Sequence, residues 1–452
     1  MQLSAPIARR EAPSEASVTL DNVTWALPTI ALALLGFAAV SGRLEGTPIT
    51  APMVFTAVGL FVGADTLGLV DPTVSSEAVK LLAEATLALV LFGDASRIDL
   101  HALRDEVSLP ARLLGLGLPM TLLVGFAVGL VVLGSLSWAE ALLLAVILAP
   151  TDAALGQAVV TLPRLPSRVR QGLNVESGLN DGICVPLFFI VLAVAQAEAG
   201  DVSDVAAFKL VGEEIGYGIA GGAVAGVLAA AVVVMAGGRR LVDAPWLQVV
   251  PVAAAALAFG LADALGGSGF IAAFVGGMIF GGLRRRSGGE VGYLIEELGS
   301  VLNAVTFIVF GAVMLGPALG AATWAIALYG VLSLTVVRML PVGIAMLGTG
   351  ARRPTVGFLG WFGPRGLASI VFAVILVEEG GLPHENVIIT TIVITVGLSV
   401  LAHGLTAAPL AERYAGWFES HPKGALPVLE SRSTTHVRWR TPGAAPPPPE
   451  SG

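Results

Sequence analysis

Two aspartates in apolar surroundings carry the chemistry this sequence can offer. Asp152 stands in Leu148-Ala149-Pro150-Thr151-Asp152-Ala153, and Asp181 in Asn174-Val175-Glu176-Ser177-Gly178-Leu179-Asn180-Asp181-Gly182. An ionisable side chain inside a membrane span costs about 2.5–3.5 kcal/mol on insertion scales, so such groups mark ion pathways, proton relays or ion pairs. Ser177 and Asp181 are four residues apart and share a helix face, with Asn180 beside it. A hydroxyl, an amide oxygen and a carboxylate form an oxygen-only set suited to a hard cation such as Na⁺. No neighbouring His/Cys cluster points to zinc. A polar helix–helix contact would account for Ser177 and Asn180. It accounts poorly for Asp181, which has no basic residue within its own segment to pair with. Pro150 removes a backbone donor and clashes with the preceding turn. The helix is therefore expected to break beside Asp152 and to free carbonyls that can coordinate a cation. The simpler alternative is a proline kink with Asp152 at a water-facing helix end.

Five more ionisable residues fall in apolar runs: Glu84, Glu176, Asp263, Arg338 and Arg365. Asp263 lies near a span end, where it can face water. Arg338 needs a partner or a route to the interface, and Glu176 is the natural partner from the helix that carries Asp181. A pair would make Glu176 structural and leave Asp181 free. Glu84 is either interfacial or a further acid of the ion site. Arg365 sits in Gly360-Trp361-Phe362-Gly363-Pro364-Arg365-Gly366-Leu367, a second Gly/Pro-interrupted stretch. It can neutralise the carbonyl ends of broken helices, or it is a loop residue at the cytoplasmic edge.

The elements that must position these residues are read from composition. Charged residues make up 13% of the 452, against about 25% in soluble domains. Mean hydropathy is +0.84. Long continuous apolar runs alternate with polar joints, which favours membrane helices over a β-barrel. Thirteen spans are predicted near 24–42, 49–64, 78–93, 111–134, 138–160, 172–197, 210–236, 246–264, 269–283, 296–316, 322–347, 355–378 and 385–410. Odd-numbered joints are basic, holding Arg43, Arg97, Arg104, Arg164, Arg168, Arg170, Arg239, Arg240, Arg284 to Arg286, Arg352 and Arg353. Even joints hold acids such as Asp65, Asp71, Asp201, Asp204, Glu378 and Glu379. This alternation puts the N-terminus outside and the C-terminus in the cytoplasm; Arg9 and Arg10 run against it. The two interrupted spans, five and twelve, sit at the centres of spans four to six and eleven to thirteen. An offset of seven spans makes the two triplets run in opposite senses, as an inverted repeat requires. Residues 1–22 read as a polar N-terminal segment, 23–415 as the transmembrane domain and 416–452 as a flexible cytoplasmic tail ending in Pro446 to Pro449.

The net charge of −8 comes mostly from acids in loops and tails and is no nucleic-acid signal. The single cysteine, Cys184, excludes an intrachain disulfide framework and a Cys-based metal cluster. An enzyme embedded in the bilayer would need a Ser/His dyad or metal ligands. Of the five histidines only His403 lies clearly in a span, and no motif surrounds it. A channel would call for a continuous polar lining; one compact acidic cluster beside two broken helices fits a carrier better.

Ala149-Pro150-Thr151-Asp152, Glu176 to Gly182, and Phe362-Gly363-Pro364-Arg365-Gly366-Leu367-Ala368 resemble the NhaP-type sodium/proton antiporters, in the cation:proton antiporter family of the animal sodium/proton exchangers. The resemblance covers about 25–415. It implies an all-α membrane fold of thirteen helices with inverted repeats and two broken, crossing helices. It implies a plasma-membrane homodimer whose core bundle (about 111–197 and 322–410) moves against a scaffold (about 24–93 and 210–316). It implies Asp181 as the principal cation and proton carboxylate, completed by Asp152, Ser177 and the Thr151 carbonyl. Asn180 is then the neutral neighbour, Glu176 and Arg338 a structural ion pair, and Glu84 a candidate third acid. Partners are monovalent cations and protons, Na⁺ first, with no bound cofactor. Members with Asn-Asp at positions 180 and 181 are generally electroneutral. The exchanger-like form of the motif has a bulkier apolar pair where this chain has Ser177-Gly178.

Overall fold

The computed structural model describes residues 15–44, 46–64, 66–68, 76–98, 108–152, 154–156, 159, 162–200, 204–239, 242–285, 291–421 and 430. Residues 1–14 and most of the chain after 421, both assigned from sequence as polar segments, lie outside them. So do Arg9, Arg10, Asp65, Asp71, Arg104, Asp201, Arg240 and Arg286.

The fold is all-helical among the described residues. The first helices are α1 (Glu15–Leu44), α2 (Ala51–Val62) and α3 (Ser76–Arg97). Next, α4 starts at Ser108–Arg112, passes through a π-helical turn at Leu113–Gly117 and continues as Leu118–Val132. After it come α5 (Trp138–Ile147), α6 (Ser167–Ala199), α7 (Asp204–Arg239), α8 (Ala244–Ala264) and α9 (Gly269–Arg284). Then α10 runs from Tyr293–Val309 through a second π turn at Phe310–Leu315 to Gly316–Ala321. The last are α11 (Trp324–Leu334 and Val336–Ala345), α12 (Arg353–Trp361), α13 (Leu367–Glu379) and α14 (Glu385–Glu419). A helix falls within each of the thirteen predicted segments. Eight described helices are long and apolar enough to cross a membrane, while Ala51–Val62, Trp138–Ile147 and Gly269–Arg284 are shorter.

Several boundaries differ from expectation. The first helix begins at Glu15, inside the segment expected to be a polar lead. The third continues past Gly93 to Arg97, so that Asp94 stands on the helix rather than in the joint after it. The expected tail is not wholly free either. Glu430 is buried and accepts hydrogen bonds from the Arg352 N–H at 3.0 Å and from the Thr355 hydroxyl, at the positive end of α12.

Two sets of helices pack on different principles. In the first, small residues let backbones approach closely, as in membrane helix pairs. Gly222 and Gly226 of α7 lie against the Ala272 and Gly276 carbonyls of α9. Gly277 and Gly281 of α9 lie against the Phe92 and Ser96 carbonyls of α3. In the second set, α5, α6, α13 and α14 bury larger side chains, with Phe188 of α6 stacked on Phe372 of α13 at 4.7 Å between centroids. Polar ties close its ends. Glu140, in a capping box with Ser137, accepts from the His384 N–H at 2.8 Å and faces its Nδ1 at 2.9 Å, joining the starts of α5 and α14. Arg112 donates to the Ala345 and Leu347 carbonyls at the end of α11. The sets meet where α6 and α13 face α3 and α9.

The close approach of α7 and α9 gives a clean test. A Cβ at Gly222 would collide with the Ala272 carbonyl, whereas Gly216, on the same helix, faces open space. Gly222→Ala should destabilise the detergent-solubilised protein by about 1–3 kcal/mol, the usual cost of overpacking. Gly216→Ala should be neutral or slightly stabilising. Thermal unfolding of the two variants side by side checks both.

Candidate ion-binding site

The site is made by two helix breaks that close on each other. The α5 helix stops at Ile147, ahead of Pro150. The α12 helix stops at Trp361, and Phe362 to Gly366 run unwound to the start of α13. Proline disfavours helical geometry in the residue before it. Ala149 and Gly363 each precede a proline, and both lie in non-helical segments. The carbonyls set free find donors across the gap. Ser369 Oγ donates to the Ile147 carbonyl at 2.7 Å. Arg365 Nη1 donates to the Ala149 carbonyl at 2.9 Å and lies 3.3 Å from the Pro150 carbonyl.

Asp152 ties the crossing together. Its backbone N–H donates to the Pro364 carbonyl at 2.8 Å. Its carboxylate accepts from the Ala154 N–H at 2.8 Å and, through Oδ2, from the Leu367 N–H at 2.9 Å. One oxygen thus caps α13, where a carboxylate suits the positive helix end. The fit is tight: a Cβ at Gly366 would fall on the Asp152 carboxylate.

The α6 helix supplies the rest. Ser177 donates its hydroxyl hydrogen bond to the Thr151 carbonyl, and Asn180 Nδ2 donates to Thr151 Oγ1 at 2.8 Å. Two buried acceptors are left over. Asp181 Oδ1 and Asn180 Oδ1 have no hydrogen-bond partner. A bare carboxylate oxygen in that position is costly unless something positive joins it, so these oxygens are the open valences of the site.

The expected structural pair is formed. Arg338 grips both Glu176 oxygens, Nη1 to Oε1 at 2.5 Å and Nη2 to Oε2 at 2.9 Å, with both side chains buried. Its guanidinium also lies where a Cβ of residue 363 would sit, so Gly363 leaves room for it. Arg365, fully buried, has no carboxylate within ion-pair distance among the described residues; its near neighbours are the freed carbonyls.

Glu84 does not reach this cluster. It lies 3.9 Å from Lys80, which also pairs with Glu378, and its charged neighbours are those two and Asp263. The acid of α3 that does reach it is Asp94, whose electrostatic neighbours include Asp152 and Asp181. Asp94 packs against the Gly178 face of α6. Ten residues of helix, about 15 Å, separate Glu84 from Asp94. Sequence reading passed over Asp94 because Arg97 follows three residues later and made the segment look like a basic joint. The usable signal was an acid one glycine after the apolar run Leu87 to Phe92.

The profile of the family described as "Sodium/hydrogen exchanger, transmembrane" matches residues 30–413. The chain belongs to that family. It is 26% identical over 405 residues to the K(+)/H(+) antiporter NhaP of Alkalimonas amylolytica, covering 86% of this chain and 66% of that protein. It is 31% identical over 298 residues to the Na(+)/H(+) antiporter NhaP of Pseudomonas aeruginosa, covering 61% and 66%. The chain thus spans about two thirds of the length of these curated relatives. The structure of the sodium proton antiporter MjNhaP1 from Methanocaldococcus jannaschii at pH 8 superposes with a TM-score of 0.71 at 20% identity, over 87% of this chain and 98% of that one. The shared architecture is the NhaP fold.

Within this exchanger-family fold, the Glu176–Arg338 pair should act as a structural unit. Arg338→Met alone strands a buried carboxylate and should cost about 3–5 kcal/mol. Glu176→Leu combined with Arg338→Met should recover most of that loss. A double-mutant cycle on thermal stability measures the coupling.

Proposed function

We propose that the protein exchanges a monovalent cation for a proton by alternating access, with Asp181 carrying each in turn. The observation behind this reading is the unpartnered Asp181 Oδ1, beside the unpartnered Asn180 Oδ1, at a crossing where the Asp152 and Glu176 carboxylates are both hydrogen-bonded. Either a proton or a cation neutralises Asp181. Neither can join while the other holds the site, so the two compete. With both absent, Asp181 is a bare charge beside Asp94 and Asp152, and moving it through a low-dielectric barrier is prohibitive. Exchange is then obligatory.

In this reading Asp152, Ser177, Asn180 and the Thr151 carbonyl shape the cation shell, and Asp94 takes the third-acid place first considered for Glu84. One neutralising event per carboxylate gives one cation for one proton, an electroneutral cycle. The bundle of α4 to α6 with α11 to α14, which contains the second helix set, moves against the small-residue set as the core of a homodimer. The N-terminus faces outside and the C-terminus the cytoplasm of a cell membrane. The distribution of Arg97, Arg164, Arg284 and Arg352 against Glu378 and Glu379 supports that orientation.

Na⁺ is the first candidate, on the oxygen-only set of the site, and K⁺ the second, as one relative is named for each cation. Purified protein in proteoliposomes, assayed with Na⁺, Li⁺ and K⁺ and with the membrane potential clamped or free, gives ion choice and stoichiometry together. Asp181→Asn should abolish cation-dependent proton flux; flux that persists would sink the assignment. Asp94→Asn should raise the half-saturating cation concentration by roughly tenfold, the loss of one interaction of about 1.4 kcal/mol. Glu84→Gln should leave it nearly unchanged.

A further inference from the structure

His403 is a buried, titratable side chain that the exchange cycle above does not use. It lies in α14, opposite the second break, and is fully buried. Its Nε2 is 3.0 Å from the Trp361 carbonyl, the last carbonyl of α12 before the chain unwinds. Its Nδ1 is 3.1 Å from the hydroxyl of Ser399, one turn earlier, and 3.1 Å from the Ser399 carbonyl. The Ser399 hydroxyl accepts the Arg365 backbone N–H at 2.7 Å. Trp361 and Arg365 bracket the unwound residues. Both ends of the break are therefore held by two residues on one face of one helix.

One tautomer of the ring ties both ends of the break. A carbonyl only accepts, so Nε2 carries the ring proton and donates it to Trp361. The Ser399 hydroxyl, already accepting from Arg365, has its own hydrogen to give, and Nδ1 can take it. A neutral ring protonated on Nε2 thus pairs with the Trp361 carbonyl and the Ser399 hydroxyl, and leaves the Ser399 carbonyl, 3.1 Å from Nδ1, to the backbone ladder of its own helix. A third contact continues the same face: Trp361 Nε1 donates to Thr406 Oγ1 at 2.9 Å, and the Trp361 and His403 rings lie 5.1 Å apart. Residues 399, 403 and 406 follow the spacing of one helical stripe.

We infer that Ser399 and His403 form a hydrogen-bonded brace on the last helix that fixes the second break and, through it, the Pro364 carbonyl and Leu367 N–H that hold Asp152. They are positioning residues for the cation site. The transport consequence rests on the exchange activity proposed above; the brace itself does not. A histidine that merely fills space would predict something different, namely that an apolar side chain of similar size would serve and that Ser399→Ala would be silent.

The experiment has two arms. In proteoliposomes, Ser399→Ala and His403→Leu should each raise the half-saturating cation concentration by about tenfold, the size expected when a buried polar partner is lost. Maximal rate and thermal stability should fall less. His403→Gln, whose amide N–H can replace the Nε2 donor, should recover most of the difference. In the second arm, ¹⁵N spectra of histidine-labelled full-length protein, with His403 assigned by its loss in His403→Gln, should show protonated Nε2 and unprotonated Nδ1. A ring protonated on Nδ1 overturns the brace. So does His403→Leu with unchanged half-saturation, or His403→Gln no better than His403→Leu. If the unaltered protein exchanges no monovalent cation, the proposed function falls while the ring spectrum still decides the brace.

Discussion

Two helices that stop in the buried interior of a membrane protein leave backbone groups in need of partners, and in a membrane interior each left unpaired costs several kcal/mol. The site follows from how that problem is met. The first break is served by Ser369 and Arg365, which belong to the second segment. The second break is served by Asp152, which belongs to the first. Neither interruption can be satisfied alone. The two segments must dock before either is tolerable, and docking brings Thr151, Asp152 and α6 into one place.

The charges then sort themselves. Arg338 is neutralised by Glu176 through a two-pronged contact. Arg365 is set against the carbonyl ends of α5, where the negative end of a helix dipole favours a cation. Neither guanidinium lies within ion-pair distance of Asp181 among the described residues. Three acids remain around the crossing, Asp94, Asp152 and Asp181. Asp152 is anchored by backbone N–H groups, whereas Asp181 Oδ1 has no hydrogen-bond partner. The result is a largely buried cluster of acids whose needs a proton or a monovalent ion can meet.

Much of this was legible from residue types. Pro150 and Pro364 announce breaks because proline cannot donate, and Arg338, alone between apolar residues, announces the buried Glu176. The Ser177–Asn180–Asp181 face follows from helical spacing alone. Asp94 was hidden because the polar last turns of a helix look, in sequence, like the joint after it. Glu84 misled for the opposite reason: it stands in an apolar run, yet Lys80 at the preceding turn draws it into a surface network. His403 carried no sequence signal at all. Its partners are a backbone carbonyl and a serine whose relevance depends on where α12 stops. Glu430 was equally silent, since nothing in a polar tail marks the residue that folds back onto a helix end.

The double use of Asp152 bears on how mutants of this protein can be read. Its carboxylate is at once a member of the ion shell and the cap that starts α13. Changing its charge changes the architecture in the same stroke, so a silent transporter altered at this position reports on chemistry and scaffolding without separating them. Asp181 has no such second occupation. The two aspartates are chemically identical, but only one can be altered as an experimental variable independent of the backbone around it.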